Sequence, residues 1–237
     1  MTEPRFPTAV LWDMDGTLVD TEPYWIEAET DLLAGYGKPW SHQQGLALVG
    51  RALLASGAYI VAETGIPLTP AEVVDELLDR VIEHVRRKVP WCDGALDLLR
   101  EVGDAGIPQA LVTMSYRRFA EPAIAHLPDH TFAAVVTGDE VSSGKPDPEP
   151  YLLAAKRLGV DPARCVAVED SPTGVASAAS AGCQVLVVPK YVEVPTGPRR
   201  HFVDTLVGLT VADLAALDLF TADAADQRTD IVAGFTL

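Results

Sequence analysis

The chain has 237 residues, of which 48% are hydrophobic and 22% charged, a composition that excludes a disordered protein. This length favours one core with a smaller insert over two full-sized domains. With 34 Asp and Glu against 18 Lys and Arg, the formal charge is −16, and the largest basic cluster is residues 86–88, so we expect no nucleic-acid partner.

The cysteines and the N-terminal segment predict a cytoplasmic protein. Cys92, Cys165 and Cys183 are widely separated and form no C-x-x-C pair, which is typical of reduced thiols. Residues 1–13 contain neither the basic segment nor the long apolar segment of a signal peptide. Apolar runs such as residues 185–188 are far shorter than the about 20 residues that span a bilayer, so we expect no membrane partner.

Continuous apolar runs rich in branched residues predict strands that are covered on both faces. In chain order they lie at residues 8–12, 109–112, 132–136, 165–168 and 184–188, with the run at 132–136 the weakest. Helical patterns lie between them, at residues 95–105, 118–126, 148–158 and 172–181. Strands that alternate with helices predict an α/β fold, a doubly wound parallel sheet of the Rossmann-like type.

The segment from 21 to 88 breaks this alternation, because it contains no convincing strand. Its clearest helix runs from residue 70 to about residue 88, with one apolar stripe formed by Val73, Val74, Leu77, Leu78, Val81, Ile82 and Val85. We therefore predict a Rossmann-like core at 1–20 and 89–237 and an inserted helical cap at 21–88. For residues 231–237 we expect either an edge strand or a loose end.

Polar side chains cluster where the predicted strands end. The first strand leads into Asp13 and Asp15, the second into Thr113, and the fourth into Glu169 and Asp170. A Gly-Lys-Pro segment that contains Lys145 opens the helix before the fourth strand. Because ligands bind beyond the carboxyl ends of parallel strands, we expect these side chains to meet at one edge of the sheet.

Such a set supplies what phosphoryl transfer requires. Magnesium binds oxygen ligands, which the side chain of Asp13, the backbone carbonyl of Asp15 and the carboxylate of Asp170 can provide. Lys145 offsets the negative charge, and the Thr113 hydroxyl with the N–H groups that follow it can hold phosphoryl oxygens. Each of these motifs alone is more often part of a turn or a helix cap. Such structural roles do not explain why all of them occur together in this order at the ends of strands.

Four segments resemble the motifs of the haloacid dehalogenase superfamily, and the resemblance covers nearly the whole chain. They are, in order, WDMDGTLVDTEP, LVTMS, SGKPDPEPY and VAVEDSPTG. SGKPDP with VEDSPTG is similar to the branch that contains β-phosphoglucomutase and sugar-phosphate phosphatases, in which the cap is helical. The resemblance implies a magnesium-dependent phosphatase that acts on a small phosphorylated metabolite through a phosphoryl-aspartate.

The resemblance also implies roles for individual residues. Asp13 would be the nucleophile and Asp15 the general acid and base, with a second aspartate absent from dehalogenases proper. Phosphate would be bound by Thr113, Lys145 and Met114, the last through its backbone N–H because Met replaces a frequent Asn. The implied magnesium ligands are Asp13, Asp15, Glu169 and Asp170.

Within the cap, Gly50-Arg51 resembles the substrate-contacting loop of the same branch. Arg51 there pairs with a second phosphate or a sugar hydroxyl, or is an ordinary surface residue. Thr21 lies near the hinge and is the third expected contact to substrate.

Two other functions remain open on the sequence. One is a sugar phosphomutase on the same scaffold; mutases of this branch carry a His four residues beyond the Thr that corresponds to Thr21, and this chain has Trp25 there. Indole has no basic nitrogen, which favours the phosphatase. The other is a phospho-acceptor signalling module, which is only about half this length and has no cap. The sequence does not indicate an oligomeric state.

Overall fold

The computed structural model describes residues 6–48 and 51–217 and contains six strands in this part of the chain. They are β1 (Ala9–Trp12), β2 (Gln109–Val112), β3 (Ala134–Val136), β4 (Cys165–Glu169), β5 (Gln184–Val187) and β6 (Arg200–Phe202). They form one sheet in the order β3-β2-β1-β4-β5-β6, and every neighbouring pair is parallel. The predicted doubly wound α/β fold is confirmed.

Nine α-helices accompany the sheet within the described residues. They are α1 (Glu22–Gly35), α2 (His42–Leu46), α3 (Leu53–Thr64), α4 (Pro70–Arg87), α5 (Ala95–Asp104), α6 (Arg117–Ile124), α7 (Glu149–Leu158), α8 (Pro172–Ser180) and α9 (Val211–Ala216). None of those helices combines the length and apolar composition that a bilayer span requires.

Apolar residues cover both faces of the sheet. On β1, Val10 and Trp12 pack into a cluster with residues of α5, α6 and the helices before β2, while Ala9 and Leu11 pack into a second cluster with α7 and α8. The buried indole of Trp12 donates a hydrogen bond to Gln109 Oε1 at 2.8 Å, so its polar atom is satisfied inside the core. Burial on both faces explains the continuous apolar runs in the sequence.

Strand β6 is absent from the sequence prediction. Its residues Arg200, His201 and Phe202 are only half buried, and the strand pairs with β5 alone at the sheet edge. Such a strand needs no apolar run. The expected alternatives for residues 231–237 lie outside the described residues.

Helices α1 to α4 form a block between β1 and β2. Helix α4 buries the predicted apolar stripe, and Thr69 caps it through a reciprocal pair of hydrogen bonds with Glu72. The two linkers to this block are paired: Asp20 N donates to Pro90 O at 2.7 Å, and Val19 bridges Trp91 in antiparallel fashion. Our predicted boundaries, at 20/21 and 88/89, fall beside this pairing and stay a prediction.

The pairing register of β1 with β2 and β4 places the C-terminal ends of these three strands at the same edge of the sheet. Trp12, the last residue of β1, pairs with Leu111 of β2 and with Val168 of β4. The next residue, Asp13, donates its backbone N–H to Val168 O at 3.0 Å. The polar residues that follow β1, β2 and β4 are therefore neighbours in space.

Candidate active site

The loop after β1 places two aspartates at this edge and turns sharply behind them. Gly16 has φ of 89°, and a Cβ at this position would lie 2.1 Å from Asp170 Oδ2. A larger residue is therefore excluded both by the backbone conformation and by the close approach of Asp170. This is the physical reason for glycine after the Asp-Met-Asp sequence.

Lys145 lies between two carboxylates. Its Nζ donates to Asp13 Oδ1 and to Glu169 Oε1, both at 2.6 Å, and to Val112 O at 3.0 Å. Burial alone would lower the pKa of Lys145, but the negative charges of Asp13 and Glu169 outweigh burial and raise this pKa. The lysine is therefore a fixed positive charge inside an acidic cluster.

Glu169 is completely buried and has hydrogen bonds at both oxygens. Tyr151 on α7 donates its hydroxyl to Oε1 at 2.8 Å, while Oε2 accepts from the backbone N–H groups of Asp170 and Ser171 at 3.1 and 3.2 Å. A Cβ at Gly174 would lie 1.7 Å from Oε1, so no side chain can be accommodated at this position near the start of α8. Glu169 thus orients Lys145 as well as adding charge.

Tyr151 is a site residue that the sequence analysis missed. It ends the segment SGKPDPEPY and has no exposed surface, which from sequence alone is typical of an ordinary core aromatic. The feature of the sequence that could have identified Tyr151 is its spacing from Lys145. It lies six residues after Lys145, on the helix that this segment opens.

Asp15 is held by hydroxyl groups from two directions. Thr21 Oγ1 donates to Oδ1 at 2.7 Å, and Ser115 Oγ donates to Oδ2 at 2.7 Å, with Thr113 Oγ1 at 3.4 Å from the same oxygen. Burial raises the pKa of Asp15, although these hydrogen bonds act in the opposite direction. Ser115 was also missed, since a serine after a strand usually caps the next helix.

Three carboxylates lie close enough to share a metal ion. One oxygen each from Asp13, Glu169 and Asp170 lies within 4.8 Å of the others, and all three residues are buried. Burial and the charges of its neighbours raise the pKa of Asp170, so a cation here would be strongly favoured. An all-oxygen donor set of this kind fits Mg²⁺.

The fourth expected ligand differs from the other three. The side chain of Asp15 is directed to Thr21 and Ser115 rather than into the carboxylate group. A contribution from Asp15 to a metal site would therefore come from its backbone carbonyl. Glu169, whose oxygens are already bound, would act mainly by holding Lys145 and by its charge.

A cavity of about 370 Å³ separates this edge of the sheet from α1 and α3. Among the predicted site residues, those that line it are Asp13, Asp15, Thr21, Arg51, Thr113, Met114, Lys145 and Asp170. Met114 Sδ accepts the backbone N–H of Lys145 at 3.0 Å, a contact that ties the second motif to the third. The exposed Arg51 places its guanidinium 5.1 Å from the ring centroid of Tyr59, and Gly50 lies outside the described residues.

The wall opposite the sheet also carries polar residues, and two of them, Glu29 and Ser56, were not indicated by the sequence. Glu22 and Glu29 of α1 and Ser56 of α3 line the cavity with Trp25. Burial raises the pKa of Glu29 to about 7, and burial together with the charge of Glu29 raises that of Glu22 to about 7. Trp25, Glu29 and Leu33 are four residues apart and therefore lie on the same face of α1. On this face the helical pattern predicts an apolar side chain at residue 29, but the residue is a glutamate.

The chain matches the family model of the haloacid dehalogenase-like hydrolases over residues 7–182. It is 30% identical over 223 residues to hexitol phosphatase B of Escherichia coli strain K12, covering 92% of this chain and 99% of that protein. It is 34% identical over 187 residues to the bifunctional riboflavin kinase/FMN phosphatase of Arabidopsis thaliana, but spans only 49% of that relative.

The crystal structure of CbbY from Rhodobacter sphaeroides in complex with phosphate is also similar. It superposes with a TM-score of 0.76 at 27% identity, over 85% of this chain and 96% of that one. Family model, relatives and fold therefore agree with the resemblance found in the sequence. The chain belongs to the haloacid dehalogenase-like hydrolases and is an enzyme of the hydrolase class.

Proposed function

We propose that the protein is a magnesium-dependent phosphatase that hydrolyses the phosphate monoester of a small metabolite, a sugar phosphate, through a phosphoryl-aspartate. One observation carries the proposal: Asp13, fixed by Lys145 at 2.6 Å, faces the same cavity as Asp15, which is held by hydroxyl groups. A nucleophile and an acid–base pair with different surroundings are what two-step phosphoryl transfer requires.

In the first step, an Asp13 carboxylate oxygen attacks phosphorus while the bond to the ester oxygen breaks. Asp15 gives its proton to that oxygen, and the alcohol leaves. In the second step, Asp15 takes a proton from water, whose oxygen attacks phosphorus and displaces the Asp13 carboxylate as inorganic phosphate forms. The raised pKa of Asp15 supports this role, because a buried carboxyl retains a proton more readily near neutral pH.

Positive charge and N–H donors hold the phosphoryl oxygens during both steps. Lys145, the Thr113 hydroxyl and the backbone N–H of Met114 are the groups that we assign to this role. The residues that would hold Mg²⁺ directly are Asp13, Asp170 and the Asp15 carbonyl, and Glu169 would contribute its charge. When bound, Mg²⁺ offsets the negative charge shared by the carboxylates and the phosphate.

We assign substrate selection to the helical block between β1 and β2, acting as the cap at 21–88. Helices α1 and α3 form the wall of the cavity that faces the catalytic edge. A phosphate ester that binds at Lys145 therefore has its alcohol portion against these helices, with Thr21, Gly50 and Arg51 as expected contacts. A closed cap excludes water that is not part of the reaction.

The direct test is phosphate release from phenyl phosphate and from glucose 6-phosphate, before and after chelation of divalent cations. We expect activity that is lost on chelation and restored by Mg²⁺. Ca²⁺, which is larger and less strict in geometry, should bind but support little turnover. Full activity in excess chelator would contradict the metal assignment, and no phosphate release from any ester would contradict the phosphatase.

The mutase is a second candidate, and the position of Trp25 disfavours it. Trp25 lines the cavity and packs edge-on against Phe119, with ring centroids 5.8 Å apart. Its indole has no basic nitrogen that could help to relay the proton that a sugar hydroxyl loses when it accepts the phosphoryl group. Incubation with β-glucose 1-phosphate and a trace of glucose 1,6-bisphosphate should yield inorganic phosphate without glucose 6-phosphate; efficient formation of glucose 6-phosphate would overturn the hydrolase assignment.

A further inference from the structure

We propose that Glu29 is a specificity-determining residue of this phosphatase. Its carboxylate accepts a hydrogen bond from a hydroxyl at the end of the substrate remote from the phosphoryl group. Its charge disfavours substrates that carry a carboxylate or a second phosphate at that end. The inference rests on the phosphatase activity proposed above and names the chemistry of the substrate: a phosphate ester whose far end is neutral and hydroxylated.

The position of Glu29 sets which part of the substrate it contacts. Thr21, at the start of α1, is bonded to Asp15, and Glu29 lies eight residues further along the helix. A rise of 1.5 Å per residue places it about 12 Å along the helix axis from Thr21. Both residues line the same cavity, so Glu29 meets the alcohol portion of the ester and not its phosphate.

Glu29 has an acceptor oxygen to spare. Trp40 Nε1 donates to Oε2 at 2.8 Å, and within residues 6–48 and 51–217 we find no donor to Oε1. The residue is only 4% exposed, yet it lines the cavity. A buried carboxylate with one unfilled oxygen gains most from a donor that enters with the ligand, and a sugar hydroxyl is such a donor.

The neighbours of Glu29 fix the position of its side chain, but positive charge around it offsets its negative charge only weakly. A Cβ at Gly45 would lie 3.1 Å from Glu29 Oε2, so the adjacent helix leaves room for the carboxylate. Glu22 adds a second negative charge to the same wall. Among the described residues, the basic residue that lines this wall is Arg51, which is exposed and lies over the ring of Tyr59, so solvent screens its charge more than that of Glu29.

A purely structural role for Glu29, as the acceptor for Trp40, makes a different prediction. Glutamine at this position retains an oxygen for Trp40 and nearly the same volume, while it removes the charge. If Glu29 only supports Trp40, Glu29→Gln has no effect on the choice between substrates. If Glu29 selects substrates, the charge itself is what matters.

The experiment compares sorbitol 6-phosphate with 6-phosphogluconate at about pH 8.5; the two share a carbon chain and differ at the far end as CH₂OH against carboxylate. Burial raises the pKa of Glu29 to about 7, so its side chain is ionised at this pH. For the wild type we expect kcat/KM to favour sorbitol 6-phosphate, and for Glu29→Gln we expect this preference to fall at least about tenfold. Glu29→Asp, which keeps the charge, should retain most of the discrimination. The matched control is Glu27→Gln, an exposed carboxylate on the same helix, which should behave as wild type.

Phenyl phosphate, which has no hydroxylated chain, reports on the catalytic residues separately. If the wild type releases phosphate from phenyl phosphate but Glu29→Gln keeps the wild-type preference, the inference is overturned while the proposed function stands. A wild type that hydrolyses both six-carbon substrates equally well overturns it without any variant. If the wild type hydrolyses no ester, the proposed function and the inference fall together.

Discussion

The two ends of the cavity both carry buried carboxylates, but they are compensated differently. At the sheet edge, Lys145 binds Asp13 and Glu169, and both oxygens of Glu169 have donors. On the opposite wall, Glu29 has Trp40 as its donor, and no ion pair of Glu29 with a lysine or arginine is present in the part of the chain that the structure describes. The first end holds its charges in fixed positions before substrate arrives, as catalysis requires. The second leaves one carboxylate oxygen of Glu29 without a donor among the described residues, and we propose that the substrate supplies that donor.

Among the variants considered, replacement of the proposed nucleophile should have the largest effect. Asp13→Asn retains the shape of the side chain, but an amide is a poor nucleophile, so no phosphoryl-enzyme forms. We expect kcat to fall at least about 100-fold, measured as phosphate release from phenyl phosphate. A variant that keeps more than about 10% of wild-type activity would show that Asp13 is not the nucleophile.

A smaller change at the same end concerns the support of Glu169. Tyr151→Phe removes the hydroxyl that donates to Glu169 but keeps the ring, whose centroid lies 5.2 Å from Lys145 Nζ. A lost hydrogen bond to a buried charge should lower kcat/KM about tenfold and raise the Mg²⁺ concentration needed for half-maximal activity. Tyr36→Phe, at an exposed tyrosine, is the control. Unchanged kinetics would mean that Tyr151 serves the core alone.

The smallest effect is expected at the opposite wall and concerns stability. Burial raises the pKa of Glu29 to about 7, so the neutral form of this side chain stabilises the folded state. The wild type therefore loses stability as pH rises through 7 and Glu29 becomes ionised. Glu29→Gln stays neutral at every pH. Its Tm should match wild type at pH 5 and exceed it at pH 8.5 by about 2–4 °C, which corresponds to about 1 kcal/mol.

Thermal unfolding followed by circular dichroism at the two pH values provides this measurement. Glu27→Gln on the exposed side of α1 should show no such pH-dependent difference. A Tm difference between Glu29→Gln and wild type that is the same at both pH values would show that Glu29 does not titrate in this range.

The catalytic edge was largely predictable from the sequence, and the opposite wall was not. Residues such as Asp13 and Asp170 follow buried strands directly, and parallel strands bring their ends together whatever the loops do. Glu29, by contrast, lines the cavity only because α1 and α3 pack across it, and the sequence pattern does not indicate this packing. Tyr151 was missed for a different reason. A buried aromatic residue on a helix is typical of a hydrophobic core, and only the structure shows that its hydroxyl reaches Glu169.

The paired linkers have a consequence for how such an enzyme can change over time. Since Asp20 N lies 2.7 Å from Pro90 O, the helical block leaves and re-enters the core at nearly one point. A segment whose ends meet in this way can be lengthened or exchanged at small entropic cost, without disturbing β1 or β2. Recognition can therefore diverge while the catalytic edge is inherited intact. The exception is Thr21, which belongs to the block but binds Asp15, so any replacement must supply that hydroxyl.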